Sequence, residues 1–202
     1  MSAITHDGDA RERALDRQAV FGASSSVLGM TMFVASEAVF FAAFFGVYAS
    51  SYTAAKNWPP ANITTPSIVL PTIGVIVLLI SGLTTMFGVR RIHRADYPNG
   101  VATWLVSTLV LGIVFGALVV VGMTDLSFPI GQGIYESLFY ILLGLELAHV
   151  VGGVVLMALV LVRASTGELA LRRDPVQSTG IYWFFVVVLG VAIYIVLYAT
   201  SA

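Results

Sequence analysis

The sequence predicts an all-α polytopic membrane protein, a bundle of five transmembrane helices, and three observations carry that reading. The 202 residues are 58% hydrophobic and only 10% charged, with a mean hydropathy of +0.93, whereas a soluble domain is about one quarter charged. The apolar residues gather into five runs, each near the roughly 20 residues a helix needs to cross the hydrocarbon core. The runs are continuously apolar and do not alternate with the period of two that a membrane strand requires.

Residues 1–26 read as a polar, cytoplasmic N-terminal tail, in which Arg11, Arg13 and Arg17 are offset by Asp7, Asp9, Glu12 and Asp16. The first apolar run is long enough to span and ends in Tyr48 and Tyr52. It is therefore expected to be kept as a helix and not cleaved as a signal peptide. A transmembrane domain follows over 27–202, with spans at about 27–51, 68–89, 101–123, 135–162 and 180–199. Turn residues mark the connections: Trp58, Pro59, Pro60 and Pro66 in the first, Tyr97, Pro98, Asn99 and Gly100 in the second, Pro129, Gly131 and Gly133 in the third. Pro71 falls in the first turn of span two, where a missing amide hydrogen costs little, so no span is expected to be broken. Arg11, Arg13, Arg17, Arg90, Arg91, Arg94, Arg163, Arg172 and Arg173 all sort to one side, with Lys56 alone on the other. Short loops rich in Lys and Arg stay cytoplasmic, so the N-terminus is expected inside and the C-terminus outside. Tyr48, Tyr52, Trp58, Trp104, Tyr135, Tyr182, Trp183 and Tyr198 lie near predicted span ends, as interfacial aromatics do.

Ionisable side chains inside a bilayer are costly, so each is a functional candidate. Glu37 lies about ten residues, or about 15 Å, into span one. Glu146 lies about as deep in span four, with His149 three residues on and on the same helical face. For Glu37 the functional reading is a carboxyl that meets a partner subunit, a proton or a lipid; the plainer one is an acid hydrogen-bonded within the bundle. For Glu146 and His149 the plainer reading is a pair that satisfies itself or Glu37. Glu136, beside Tyr135, reads as a wetted helix-end acid. Phe33, Phe40, Phe41, Phe44 and Phe45 surround Glu37 along span one, either as a groove for a lipid tail or as ordinary packing. Gly112 and Gly116 form a GxxxG in span three, a spacing that lets helices approach closely.

The absence of cysteine excludes disulfides, thiolate zinc sites, cysteine-ligated iron–sulfur clusters and CxxCH haem attachment. His6 and His93 lie outside the spans and only His149 lies within one, too few for a buried haem, copper or iron centre. A net charge of −1 without a basic stripe argues against nucleic acid. A small proton-coupled transporter or channel with Glu37, Glu146 and His149 as its relay is the alternative class. Continuous helices, an odd span count and the lack of an internal repeat weigh against it.

Five strings in register resemble subunit III of haem-copper terminal oxidases, in its short five-helix form, from about residue 27 to the C-terminus. They are Ser36 and Glu37 with Phe40, Phe41, Phe44, Phe45 and Tyr48; the WPP of Trp58 to Pro60; the Tyr135, Ser137, Leu138, Phe139, Tyr140 start of span four; the Gly144 to Val150 stretch that contains His149; and Tyr182, Trp183 and Phe185. The resemblance implies an accessory subunit without redox cofactor of its own, packed on catalytic subunit I together with subunit II, which hold the haem and copper. It implies bound phospholipid, support of proton uptake and enzyme durability, and residence in a bacterial plasma membrane. It puts Glu37 at the family's buried reactive glutamate and His149 at the second histidine of a GxHGxHV pattern. Phe41, Phe44, Trp58, Tyr182 and Trp183 are then candidates for a lipid or subunit interface. Glu146 stands at that pattern's first histidine, Leu147 at its glycine, and Phe184 and Val187 at the His and Asp of YWHFVD. These departures point to a divergent branch, with a quinol oxidase or a nitric oxide reductase system as alternative settings.

Overall fold

The computed structural model describes residues 25–61, 63–91, 99–166 and 173–200. Within them lie five helices long and apolar enough to cross a membrane: α1 (Ser25–Ala54), α2 (Val69–Arg90), α3 (Asn99–Thr124), α4 (Ile134–Ser165) and α5 (Asp174–Tyr194). The chain continues from α5 through a π-helical turn, Ile195–Ala199. The arginines of the N-terminal tail, His6, His93, Arg94, Tyr97, Pro98 and Arg172 lie outside the described residues.

Four of the five helices begin within two residues of their predicted starts, because a long apolar run bounded by Pro, Gly or Arg leaves little choice. The fifth is the exception. It was expected from about residue 180 and begins at Asp174, with Pro175 in its first turn. An acid and a proline are favourable first-turn residues, but the polar run Gln177, Ser178, Thr179 hid them. Those residues belong to the helix, and Ser178 and Thr179 are buried in it. The correction moves Tyr182 and Trp183 about two turns or more inward, away from the membrane edge where interfacial aromatics sit.

Helices α2 and α3 pack on each other, as do α3 and α4, and α5 lies against α1, α2 and α4. Helix α1 is peripheral: of its 30 residues only Phe41 and Tyr48 are buried. Two apolar clusters form the core. One centres on Leu78, Phe115, Val150, Met157, Trp183 and Val187; the other, toward the opposite end, centres on Phe41, Phe128, Tyr135, Phe139, Leu142 and Leu197. Polar side chains tie the helices where lipid could not. Thr84 and Thr108 share a 2.8 Å hydrogen bond between α2 and α3. Thr85 and Thr108 also bond their own backbones, to Ser81 and Trp104, so no hydroxyl there is left unsatisfied in an apolar medium.

Glycines are used where another helix sends in a large side chain. A Cβ on Gly112 would stand 2.6 Å from the Trp183 ring, one on Gly153 2.5 Å from it, and one on Gly116 3.4 Å from Val150. The GxxxG of the third span therefore seats side chains of α4 and α5. A Cβ on Gly144 would meet nothing within 4 Å. Gly153→Ala is accordingly expected to cost about 1–3 kcal/mol through overpacking, while Gly144→Ala is neutral or gains up to about 1 kcal/mol of helix propensity. Thermal unfolding of the two variants in lipid nanodiscs checks this; equal melting temperatures would refute it.

Candidate functional site

The site forms where peripheral α1 crosses α4 and α5. His149, one turn beyond Leu145 on α4, places its Nδ1 2.8 Å from the Leu145 carbonyl oxygen. A carbonyl can only accept, so Nδ1 carries a hydrogen and donates it. The other ring nitrogen, Nε2, faces outward and stands 3.4 Å from Oε2 of Glu37 on α1. With Nδ1 committed, Nε2 is either a bare acceptor or the second N–H of an imidazolium. The carboxyl is correspondingly an acid that donates or a carboxylate that accepts. At 3.4 Å the two atoms are close enough for a proton on either partner to be donated to the other.

Aromatic rings hold the imidazole in this orientation. Phe41 meets it edge-on at 5.2 Å, Phe185 likewise at 6.0 Å, and Tyr182 stacks on it at 6.3 Å with 14° between planes. Tyr182 also donates its hydroxyl to the backbone carbonyl of His149 at 3.0 Å, and Phe33 of α1 stacks on the Tyr182 ring at 6.3 Å. The side chain of His149 is 11% exposed and that of Glu37 24%. The carboxyl is thus half-buried, closed toward α4 and open along the flank of α1, where Val39 and Phe40 are exposed.

Three expectations are corrected here. Glu146 joins neither His149 nor Glu37: it is buried against Gly190 of α5, and both its oxygens lack a partner among the described residues. Glu136 is not wetted; it is buried in the first turn of α4, folded back over Gly133, where the helix N-terminus favours an acid. Phe41, Tyr182 and Trp183, read as surfaces for lipid or another subunit, are buried within this chain and have almost no surface to offer either. Phe44 remains half-buried and packs on Phe40 at 5.1 Å. Trp58 folds over the end of the bundle against Tyr48 and Tyr135 and donates its indole N–H to the Tyr48 hydroxyl at 2.9 Å. Tyr48 shares a further bond with Thr200 beyond α5, so this network clamps α1 to the rest of the fold. The sequence marked Phe41 and Tyr182 individually, but nothing in it says that they frame His149, because they come from three different helices.

Among the described residues no three His, Asp or Glu side chains gather into a metal-binding group. The site is a carboxyl–imidazole pair in an aromatic frame at a helix crossing.

The family model for cytochrome c oxidase subunit III matches residues 14–202. The chain belongs to that family. Curated subunit III relatives align over most of its length. The cytochrome c oxidase subunit 3 of Xenopus laevis is 29% identical over 176 residues, covering 84% of this chain and 67% of the relative. That of Paracentrotus lividus is 30% identical over 200 residues, covering 92% and 76%. The probable cytochrome c oxidase subunit 3 of Rickettsia prowazekii is 29% identical over 187 residues, covering 85% and 67%. The subunit III match thus reaches into the N-terminal segment ahead of α1, beyond the region from about residue 27 that the five strings cover. Within this subunit III chain, the Glu37–His149 contact joins two of those strings in space, and the Tyr182 string supplies the ring that stacks on the imidazole.

Proposed function

We propose that this chain is the accessory, non-catalytic subunit III of a haem-copper respiratory oxidase in a bacterial plasma membrane. It packs on subunit I, beside subunit II, and those partners hold the haem and copper. Family membership carries the proposal, and the half-open Glu37–His149 pair gives it chemistry: a carboxyl–imidazole site on the flank of α1 supports proton uptake by the neighbouring subunit and prolongs turnover. The exposed apolar side of α1, with Met32, Val39 and Phe40, is the surface for that neighbour.

A second feature supports bound phospholipid. A groove of about 620 Å³ between α1, α2 and α5 is lined by Val34, Val89, Ile181, Phe184 and Val188, with Arg90 and Gln177 at one end. A cation above an apolar wall matches an anionic headgroup above its tails. In orientation, residues 1–26 and the arginine-bearing helix ends, Arg90, Arg163 and Arg173, lie on the cytoplasmic side and the C-terminus outside, in keeping with the positive-inside rule. The Glu146, Phe184 and Val187 departures favour a divergent branch, with a quinol oxidase or nitric oxide reductase setting as the second reading.

Purification of the tagged chain in mild detergent tests the proposal. A haem-bearing polytopic subunit is expected to co-purify with it, and the haem spectrum distinguishes the oxygen-reducing from the nitric oxide-reducing setting. A chain that never migrates with haem would overturn the oxidase reading.

A further inference from the structure

The Glu37–His149 pair leaves one ionisable side chain of the membrane interior unused. Glu146 is 1% exposed, and neither carboxyl oxygen has a hydrogen-bond partner among the described residues. Buried polar atoms find partners as a rule, and a group with none in protein needs water. The structure provides room for it. The Glu146 carboxyl borders a cavity of about 40 Å³ between α2, α3, α4 and α5, enough for about three or four waters at about 10–15 Å³ each. Gly74, Gly122 and Gly190 line it, and side chains at those positions would narrow it.

Two tyrosines share the lining with Glu146. Tyr194 and Tyr198 line it beside Ile193, one turn apart where α5 passes into its π-helical turn, their rings stacked at 5.7 Å. The Tyr194 hydroxyl shares a 2.8 Å hydrogen bond with the hydroxyl of Thr72, which lies in the first turn of α2. The remaining wall, Leu70, Val75, Phe115 and Leu143 among it, is apolar.

We propose that this cavity is an internal water site through which Glu146 exchanges its proton with the membrane surface at the start of α2, by way of Tyr194 and Thr72. Each hop is balanced: a water oxygen takes the carboxyl proton and passes one of its own to the Tyr194 oxygen, which releases its hydrogen to the Thr72 oxygen; Thr72 in turn gives up its own hydroxyl hydrogen, held at rest by the Ile68 carbonyl at 2.7 Å, to water at the membrane surface, and the reverse order reloads the carboxyl. No bond other than O–H forms or breaks. This path is separate from the Glu37–His149 pair, which lies on the α1 side of α4, and it does not rest on the oxidase reading.

Infrared spectroscopy of the full chain in lipid nanodiscs, moved from H₂O to D₂O, tests it. A carboxyl C=O band is expected that disappears in Glu146→Gln and shifts on transfer to D₂O. Removing one relay site by Tyr194→Phe, or plugging the cavity by Val119→Phe, is expected to slow that shift about tenfold. Thr72→Val reads the same step where Tyr194→Phe disturbs folding, with helicity checked by circular dichroism. Failure of Glu146→Gln to remove a band, or exchange at the parent rate in the relay and plug variants, would overturn the proposal. Because the isolated chain is measured, its outcome is independent of whether haem co-purifies.

Discussion

Replacing Trp183 by alanine is expected to destabilise the chain by about 3–5 kcal/mol and to prevent its accumulation in the membrane. The indole is wholly buried and reaches from α5 to the glycines of two other helices, Gly112 of α3 and Gly153 of α4. Its N–H donates to the Ser81 hydroxyl of α2 at 3.0 Å. That bond is the smaller part of the effect, since Ser81 itself donates to the Leu78 carbonyl and is not orphaned by the loss. The larger part is packing. Lipid tails are as apolar as side chains, so helix association in a bilayer draws on close contact and not on removal of apolar surface from water. An emptied space at the junction of four helices forfeits those contacts on every side. Phe184, its neighbour, is 56% exposed, so Phe184→Ala exchanges protein contacts for lipid contacts at little cost and is expected to change stability by less than about 0.5 kcal/mol. Melting of both variants in nanodiscs checks the contrast. A comparable loss for the two would mean that the junction does not organise the bundle.

The contrast also explains what could be read from sequence. The five spans were legible because hydrocarbon imposes length and continuity on any helix that crosses it. The role of Trp183 was not, since an aromatic placed near an apparent span end looks like an interfacial anchor, and the true start of α5 lay behind Gln177, Ser178 and Thr179. Gly112 was marked by its spacing, but spacing does not say which side chain a glycine admits. Glu37, Glu146 and His149 were found as the costly residues of the interior. Their partners were not, because helical periodicity puts Glu146 and His149 on roughly one side of α4 without saying that α1 brings a carboxyl to the histidine while Glu146 lies against Gly190 of α5. That division came from tertiary packing, and it changes the chemistry. The histidine gained a carboxyl, and Glu146 faces a cavity.

The Glu37–His149 pair gives the second large effect, and a double-mutant cycle separates it from packing. Glu37→Leu is expected to cost about 1–3 kcal/mol, because it leaves the His149 Nε2 without a polar partner inside an aromatic frame. His149→Leu strips the partner from Glu37 and also loses the Nδ1 bond to the Leu145 carbonyl, so it is expected to cost at least as much. If the two share one proton, the double variant loses less than the sum of the singles, by about 0.5–3 kcal/mol. Additive melting shifts in nanodiscs would show that the 3.4 Å contact carries no energy. Glu37→Gln then divides structure from function. The amide can still donate to Nε2 and preserve the contact, but it has no proton to release. Assembly and melting temperature are therefore expected to match the parent, while the co-purified oxidase loses proton-uptake rate or inactivates after fewer turnovers. Turnover followed to inactivation reads this directly. Unchanged turnover in Glu37→Gln, together with strong coupling in the cycle, would make the pair a fastening between α1 and α4 and nothing more.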